Sequence, residues 1–130
     1  MKPRILIVDD DPAITQQLFW TLCDDYEVMT ANDLQTAVRR ATIYEPDVSI
    51  LDLHLPPTVD SPDVGLRILA YIKAQVPASK VLVISSTDSV ETHNACHAAG
   101  ADEFLDKPFE TEEVLAAMRR MAPQRMHDVA

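Results

Sequence analysis

The sequence predicts an α/β domain built on one parallel five-stranded sheet, doubly wound with helices on both faces. Short apolar runs alternate with helical patterns along the whole chain. Several runs are apolar without interruption, notably Ile5-Leu6-Ile7-Val8 and Val81-Leu82-Val83-Ile84. Strands covered on both faces read this way, whereas a sheet with one wet face alternates. The 130 residues, 47% hydrophobic and 25% charged, suit a single folded domain with a continuous core.

The first strand is read over Arg4–Val8. Asp11 then offers an N-cap with Pro12 at the first helical position, and Ile14, Leu18 and Leu22 follow at helical spacing. A second strand over 26–31 leads into a helix for which Asn32 and Gln35 offer a capping box. Leu34, Val38 and Ala41 line one face of that helix, and Pro46 stops it. A third strand over 48–51 precedes a helix over Asp63–Gln75, with Leu66, Leu69 and Ile72 spaced to pack inward and Pro77 closing it. After a fourth strand over 80–84, Asp88 and Glu91 offer a capping box for a helix ending at Gly100. A short fifth strand over 103–105 is followed by a helix carrying Val114, Leu115, Met118 and Met121, with Pro123 at its end. Right-handed crossovers give an open sheet of expected order 2-1-3-4-5. The domain is expected over residues 1–122, leaving 123–130 as a tail or the start of a linker.

Eleven basic residues against 21 acidic ones give a formal net charge of -10. That charge repels nucleic-acid phosphates and anionic membranes, so direct nucleic-acid binding by this chain is not expected. Cys23 and Cys96 form no CxxC pair, and no signal-peptide pattern opens the sequence. No apolar run nears the roughly 20 residues of a membrane span. A soluble protein of the reducing cytoplasm is expected.

In a doubly wound sheet ligands bind beyond the carboxyl ends of the strands where strand order reverses, here between the first and third. The first strand runs into Asp9-Asp10-Asp11 and the third into Asp52. Carboxylates about 4 to 5 Å apart repel by roughly 4 kcal/mol at an effective dielectric near 20, so a converging set calls for a cation. All-oxygen ligation with water positions favours magnesium, which pairs with phosphate. Two readings remain open on these acids alone: a metal-assisted phosphoryl site, or a helix cap at Asp11 beside two solvated carboxylates. Two more strand ends favour the first, Ser85-Ser86 with their hydroxyls and Asp106-Lys107-Pro108-Phe109 with an ammonium.

With Pro46-Asp47, His54-Leu55-Pro56 and Gly100-Ala101-Asp102-Glu103-Phe104, these residues resemble the receiver domain of two-component response regulators. That flavodoxin-like family is typified by the chemotaxis response regulator, and the resemblance covers residues 5–121. It implies magnesium-dependent acceptance of a phosphoryl group on Asp52 from a sensor histidine kinase or phosphotransfer protein. Asp9 and Asp10, with Asp52 and the backbone carbonyl of His54, look like the metal ligands. Ser85 matches the switch hydroxyl, Lys107 the phosphoryl-binding lysine, Phe104 the aromatic that follows the signalling state, and Pro108 a cis-proline. The face of the fourth helix, fifth strand and fifth helix would carry the signal to an output domain or downstream partner. Homodimerisation is left open. The chain would be a signalling element catalysing only its own phosphorylation and dephosphorylation.

The stretch 56–62 is longer and richer in proline than the family's usual loop, and resembles that of some receivers heading sigma-54-dependent regulators. His54 and Thr87 are placed to flank the phosphoryl group or to face solvent. The competing enzyme reading, a metal-dependent phosphatase with an Asp nucleophile, calls for a second acid two residues after Asp52, where His54 stands. His93 and His97 lie four apart without a third ligand, and no role is assigned to them. Both a stand-alone receiver and one whose output follows Ala130 fit the sequence.

Overall fold

The apolar runs pair side by side and all parallel. In the computed structural model, which describes residues 2–55, 61–86 and 89–122, the elements alternate strictly. They are β1 (Arg4–Val8), α1 (Pro12–Leu22), β2 (Glu27–Ala31), α2 (Leu34–Tyr44), β3 (Val48–Asp52), α3 (Asp63–Gln75), β4 (Lys80–Ser85), α4 (Val90–Ala98), β5 (Glu103–Asp106) and α5 (Thr111–Met121). The sheet order is β2-β1-β3-β4-β5, as expected. Loop residues 56–60, Thr87, Asp88 and the tail from Pro123 lie outside the described residues, and with them the expectations placed on the 56–62 loop, Thr87, Asp88 and Pro123.

The period-2 alternation of each strand builds two cores. Leu6, Val8, Leu51, Val81 and Val83 face α2, α3 and α4, while Ile5, Ile7, Ile50, Leu82 and Ile84 face α1 and α5. Both layers are buried, which is why the strand sequences do not alternate in polarity. Two buried hydroxyls make no hydrogen bond among the described residues, that of Ser79 before β4 and that of Ser49 on the middle of β3. Ser49→Ala is therefore expected to stabilise the domain by about 1 kcal/mol, read by urea denaturation. A loss of stability would show that the hydroxyl is satisfied.

Helix starts follow local chemistry, with two corrections to the sequence reading. Asp11 caps α1 by accepting from the Ala13 amide at 2.9 Å, with Pro12 behind it, as expected. The cap of α2 is Asp33, one residue after the anticipated Asn32, and its carboxylate accepts from Thr36 N at 2.8 Å. A charged oxygen at the positive end of the helix outcompetes the amide. The cap of α4 is Ser89, accepting from Thr92 N at 3.3 Å, so Glu91 becomes the second helical residue and closes no box. The span of α3 is as expected, and α4 ends at Ala98, just before Gly100 with φ 104°.

The inward stripe of α2 follows the predicted spacing: Ala37 and Ala41 are buried in the core beneath the sheet, Leu34 packs against the same cluster, and Val38 is half-buried beside them. The alanines let the helix axis approach the sheet.

Asp102 fastens the amino end of β5 from just outside it. Its carboxylate accepts from Lys73 Nζ and from the Val81 amide, both at 2.8 Å. Burial alone would raise this carboxyl, but the lysine and the amide hold it below its usual range. β5 is thereby registered against β4, and the loop bearing Lys107 is positioned with it.

Candidate functional site

Asp9 follows Ile5 and Ile7 in phase, and Asp52 follows Val48 and Ile50, so both carboxylates emerge at the carboxyl end of the sheet on the α1/α5 side. β1 and β3 are neighbours, which brings residues 43 positions apart together. Asp9, Asp10 and Asp52 offer carboxylate oxygens that all lie within 4.8 Å of one another, and among the described residues no other acid, histidine or cysteine group does so. Asp9 and Asp52 are buried, while Asp10 is exposed.

The two buried acids are held alike. Oδ1 of Asp9 accepts from the Asp11 amide at 2.9 Å, and Oδ1 of Asp52 from the His54 amide at 3.2 Å. Each second oxygen faces Lys107, whose Nζ lies 3.2 Å from Asp9 and 3.6 Å from Asp52. Lys107 is anchored by its own amide, which donates to the Ser85 carbonyl at 2.9 Å. One ammonium thus serves two buried carboxylates. Burial pushes both carboxyls above their usual range, and their mutual repulsion adds to this at Asp52. Lys107 and the two amides only partly oppose the shift.

That imbalance is the test of whether a cation fits. Three hard oxygen donors, a negative excess and a cleft of about 340 Å³ opening beside Asp9 and Asp10 between α1 and α2 suit a small divalent ion that keeps some of its waters. His54 is half-buried directly after β3, near enough in chain for its carbonyl to join such a set. Ser85 ends β4 fully buried, one residue past the Asp52–Ile84 pairing. The Lys107–Pro108 bond is cis, as expected. The predicted residues therefore come from four strand ends to one place, with Phe104 apart from them on β5.

The half-buried Phe104 shows a contact that sequence reasoning missed. Its ring lies against the imidazole of His93, on α4, with centroids 3.8 Å apart and planes tilted by 31°. The pair belongs to different elements eleven residues apart, so no spacing rule reveals it. Stacked rings contribute about 1 kcal/mol beyond area burial, and a His93→Ala, Phe104→Ala double-mutant cycle is expected to return a coupling of that size by urea denaturation. Strict additivity would show that the rings merely touch. His97 is exposed on α4 and joins no metal-ligating group among the described residues.

The family model described as "Response regulator receiver domain" matches residues 5–119. The transcriptional regulatory protein TrcR of Mycobacterium tuberculosis is 34% identical over 125 residues, covering 95% of this chain and 47% of its own length. The chain spans about half the length of the curated relatives it matches first. Among solved structures, chemotaxis protein CheY4 of Vibrio cholerae superposes with TM-score 0.83 at 30% identity, over 93% of this chain and 99% of that one. A response regulator of Burkholderia pseudomallei, described with a phosphorylated aspartic acid, calcium ion and citrate, superposes with TM-score 0.79 at 28% identity, over 89% of this chain and 66% of that one. The flavodoxin-like (βα)5 architecture expected from the sequence is the one observed. Among the described residues no helix is long and apolar enough to cross a membrane.

Proposed function

Because the chain belongs to the response regulator receiver domain family of two-component signalling, we propose that Asp52 is its phosphoryl acceptor and that Asp9 and Asp10 hold magnesium beside it. The observation that carries the proposal is the pair of buried carboxylates sharing Lys107, with no second positive charge against them among the described residues.

An Asp52 oxygen attacks phosphorus in line. The phosphorus–nitrogen bond of a kinase or phosphotransfer-protein phosphohistidine breaks, and its electron pair leaves on the imidazole. The transition state for such transfer is loose, so positioning and charge neutralisation supply most of the acceleration. Asp9, Asp10, Asp52 and the His54 carbonyl would hold a magnesium ion, which would supply positive charge to the phosphoryl oxygens. Lys107, already poised between Asp9 and Asp52, supplies the rest from the other side. The Ser85 hydroxyl donates to a phosphoryl oxygen once the group is present, and Phe104 with α4, β5 and α5 responds as the switched face.

In this reading the chain catalyses only its own phosphorylation and the later hydrolysis of the acyl phosphate, in the cytoplasm. Residues 1–122 form the receiver, and residues 123–130 a tail or linker. The regulatory relatives motivate an output domain or downstream partner reached through the α4–β5–α5 face.

Incubation with magnesium and a small acyl phosphate, followed by intact-mass spectrometry, tests the proposal. One alkali-labile phosphoryl adduct is expected, absent in Asp52→Asn and absent when the metal is chelated. Persistence of the adduct in the variant overturns the assignment to Asp52.

A further inference from the structure

One surface has the opposite sign to the rest of this acidic chain. Across α2 and α3 stand Arg39, Arg40, Arg67 and Lys73 against a single acid, Asp63, whereas the whole chain holds 11 basic and 21 acidic residues. Lys73 is committed to Asp102, and Arg40 donates to the Thr30 carbonyl. Arg39 is exposed on the outer ridge of α2, where the α2 cap Asp33 acts on it electrostatically. Arg67 is exposed and makes no ion pair or hydrogen bond among the described residues.

Between the two helices runs a groove of about 620 Å³ lined by Leu34, Gln35, Val38, Arg67, Ala70 and Tyr71. Ala37 and Ala41 take the sheet side of α2, and Leu34 and Val38 beside them reach the groove. A Thr42–Tyr71 hydroxyl contact of 2.7 Å bridges the helices beside it. In the adjoining last turn of α2, Ile43 and Tyr44 are 63% and 40% exposed. They are two of the four large apolar side chains exposed among the described residues, the others lying on α1 and α4.

We propose that the α2–α3 groove is a docking site for an amphipathic helical segment of a partner protein whose apolar ridge is flanked by acidic residues. The walls are helices of 11 and 13 residues, about 16 to 20 Å long at the α-helical rise, so the groove takes roughly three turns of a third helix. Anchors at i, i+3, i+4 and i+7 of the incoming segment meet Leu34, Val38 and Ala70, and Ile43 extends the apolar contact along the ridge it shares with Arg39. Arg67, which lines the groove, and Arg39, exposed on the outer ridge of α2, select acidic flanks. The groove lies on the α2–α4 side of the sheet, while Asp9 and Asp52 emerge on the α1/α5 side, so a segment docked here leaves the acidic site open.

The test uses the full chain labelled with nitrogen-15, without any phosphoryl donor, so its outcome is independent of the role given to Asp52. It is titrated with a 15-residue helical peptide carrying leucines at i, i+3, i+4 and i+7 and glutamates on the flanks, and with a counterpart in which every glutamate is lysine. The glutamate peptide is expected to shift the amides of Val38, Ala70 and Tyr71, and to bind about tenfold more weakly to Arg67→Glu. The lysine peptide is expected to bind Arg67→Glu better than the parent. Arg67 is exposed, so its substitution spares the fold. Absence of binding, shifts centred on α1 or α4, or equal affinity for the two peptides overturns the proposal. Self-association through α2 and α3 without peptide would make a second copy the occupant and overturn it as well.

Discussion

Gly65→Ala is expected to destabilise the domain by about 3 kcal/mol or more and to impair phosphoryl acceptance at Asp52 with it. Gly65 lies in the first turn of α3, and its amide donates to the Leu53 carbonyl at 3.2 Å. A β-carbon there would stand 2.3 Å from Leu53 Cα and 2.7 Å from Leu53 O. These are backbone atoms of the segment directly after Asp52, so no rotamer change relieves the clash. Either α3 moves outward and opens the core around Val64 and Ile68, or the chain after Asp52 shifts and drags the Asp52 carboxylate from Lys107. Gly100 separates space from conformation. Its φ of 104° disfavours any L side chain, but an added β-carbon would meet only the flexible Lys73 side chain at 3.1 Å. Gly100→Ala is expected to cost about 1 kcal/mol and to leave adduct formation intact. Urea denaturation and the mass-spectrometric adduct assay read both variants, and a Gly65→Ala protein as stable and as reactive as the parent would contradict the close approach.

Asp52→Asn is expected to stabilise the metal-free domain by roughly 1 to 3 kcal/mol at pH 7, the scale of a buried polar group left short of partners. Burial raises the Asp9 and Asp52 carboxyls in the folded state, so between the ordinary carboxylate value and the raised ones the native chain binds more protons than the unfolded chain. Stability contributed by this pair therefore falls as pH rises through that window and stays low above it. The advantage of the variant should accordingly be largest at neutral pH and fade toward pH 4. Asp102 and Asp33 are shifted the opposite way and lose their contribution only as pH falls below the ordinary value, outside that window. Magnesium should narrow the difference by stabilising the parent, by about 2.7 kcal/mol at a hundredfold excess over its dissociation constant. Denaturation at pH 4.5 and 7, each with magnesium and with chelator, checks all of these expectations. A variant less stable than the parent at pH 7 without metal would show that Lys107 alone satisfies both acids.

Both expectations depend on contacts that are unequally visible in the chain. The span of α3 is legible because proline marks both sides, at Pro62 and Pro77, and because Leu69 and Ile72 are spaced for a buried stripe. The strand order and the convergence of Asp9, Asp52, Ser85 and Lys107 are legible because uninterrupted apolar strands imply a doubly wound sheet, whose strand ends share one edge. The caps of α2 and α4 were misplaced by one residue, since Asn32, Asp33, Asp88 and Ser89 are all competent caps and their neighbours decide which one is used. The stripe of Leu34, Val38 and Ala41 on α2 is legible from its spacing, whereas the complete burial of Ala37 and Ala41 is set by the short distance from the helix to the sheet.

By itself the sequence determined the kind of chemistry available: which side chains end each strand, that acids dominate the first and third, and that a hydroxyl and an ammonium end the fourth and fifth. Those facts follow from residue type and short-range periodicity, which are local. The tertiary structure alone decided that one Lys107 serves both Asp9 and Asp52, that both carboxyls are raised, that His93 covers Phe104, and that Gly65 must lack a side chain. Each of these depends on a distance or a degree of burial between segments far apart in the chain, and such quantities come into being only when the sheet closes and the helices pack onto it.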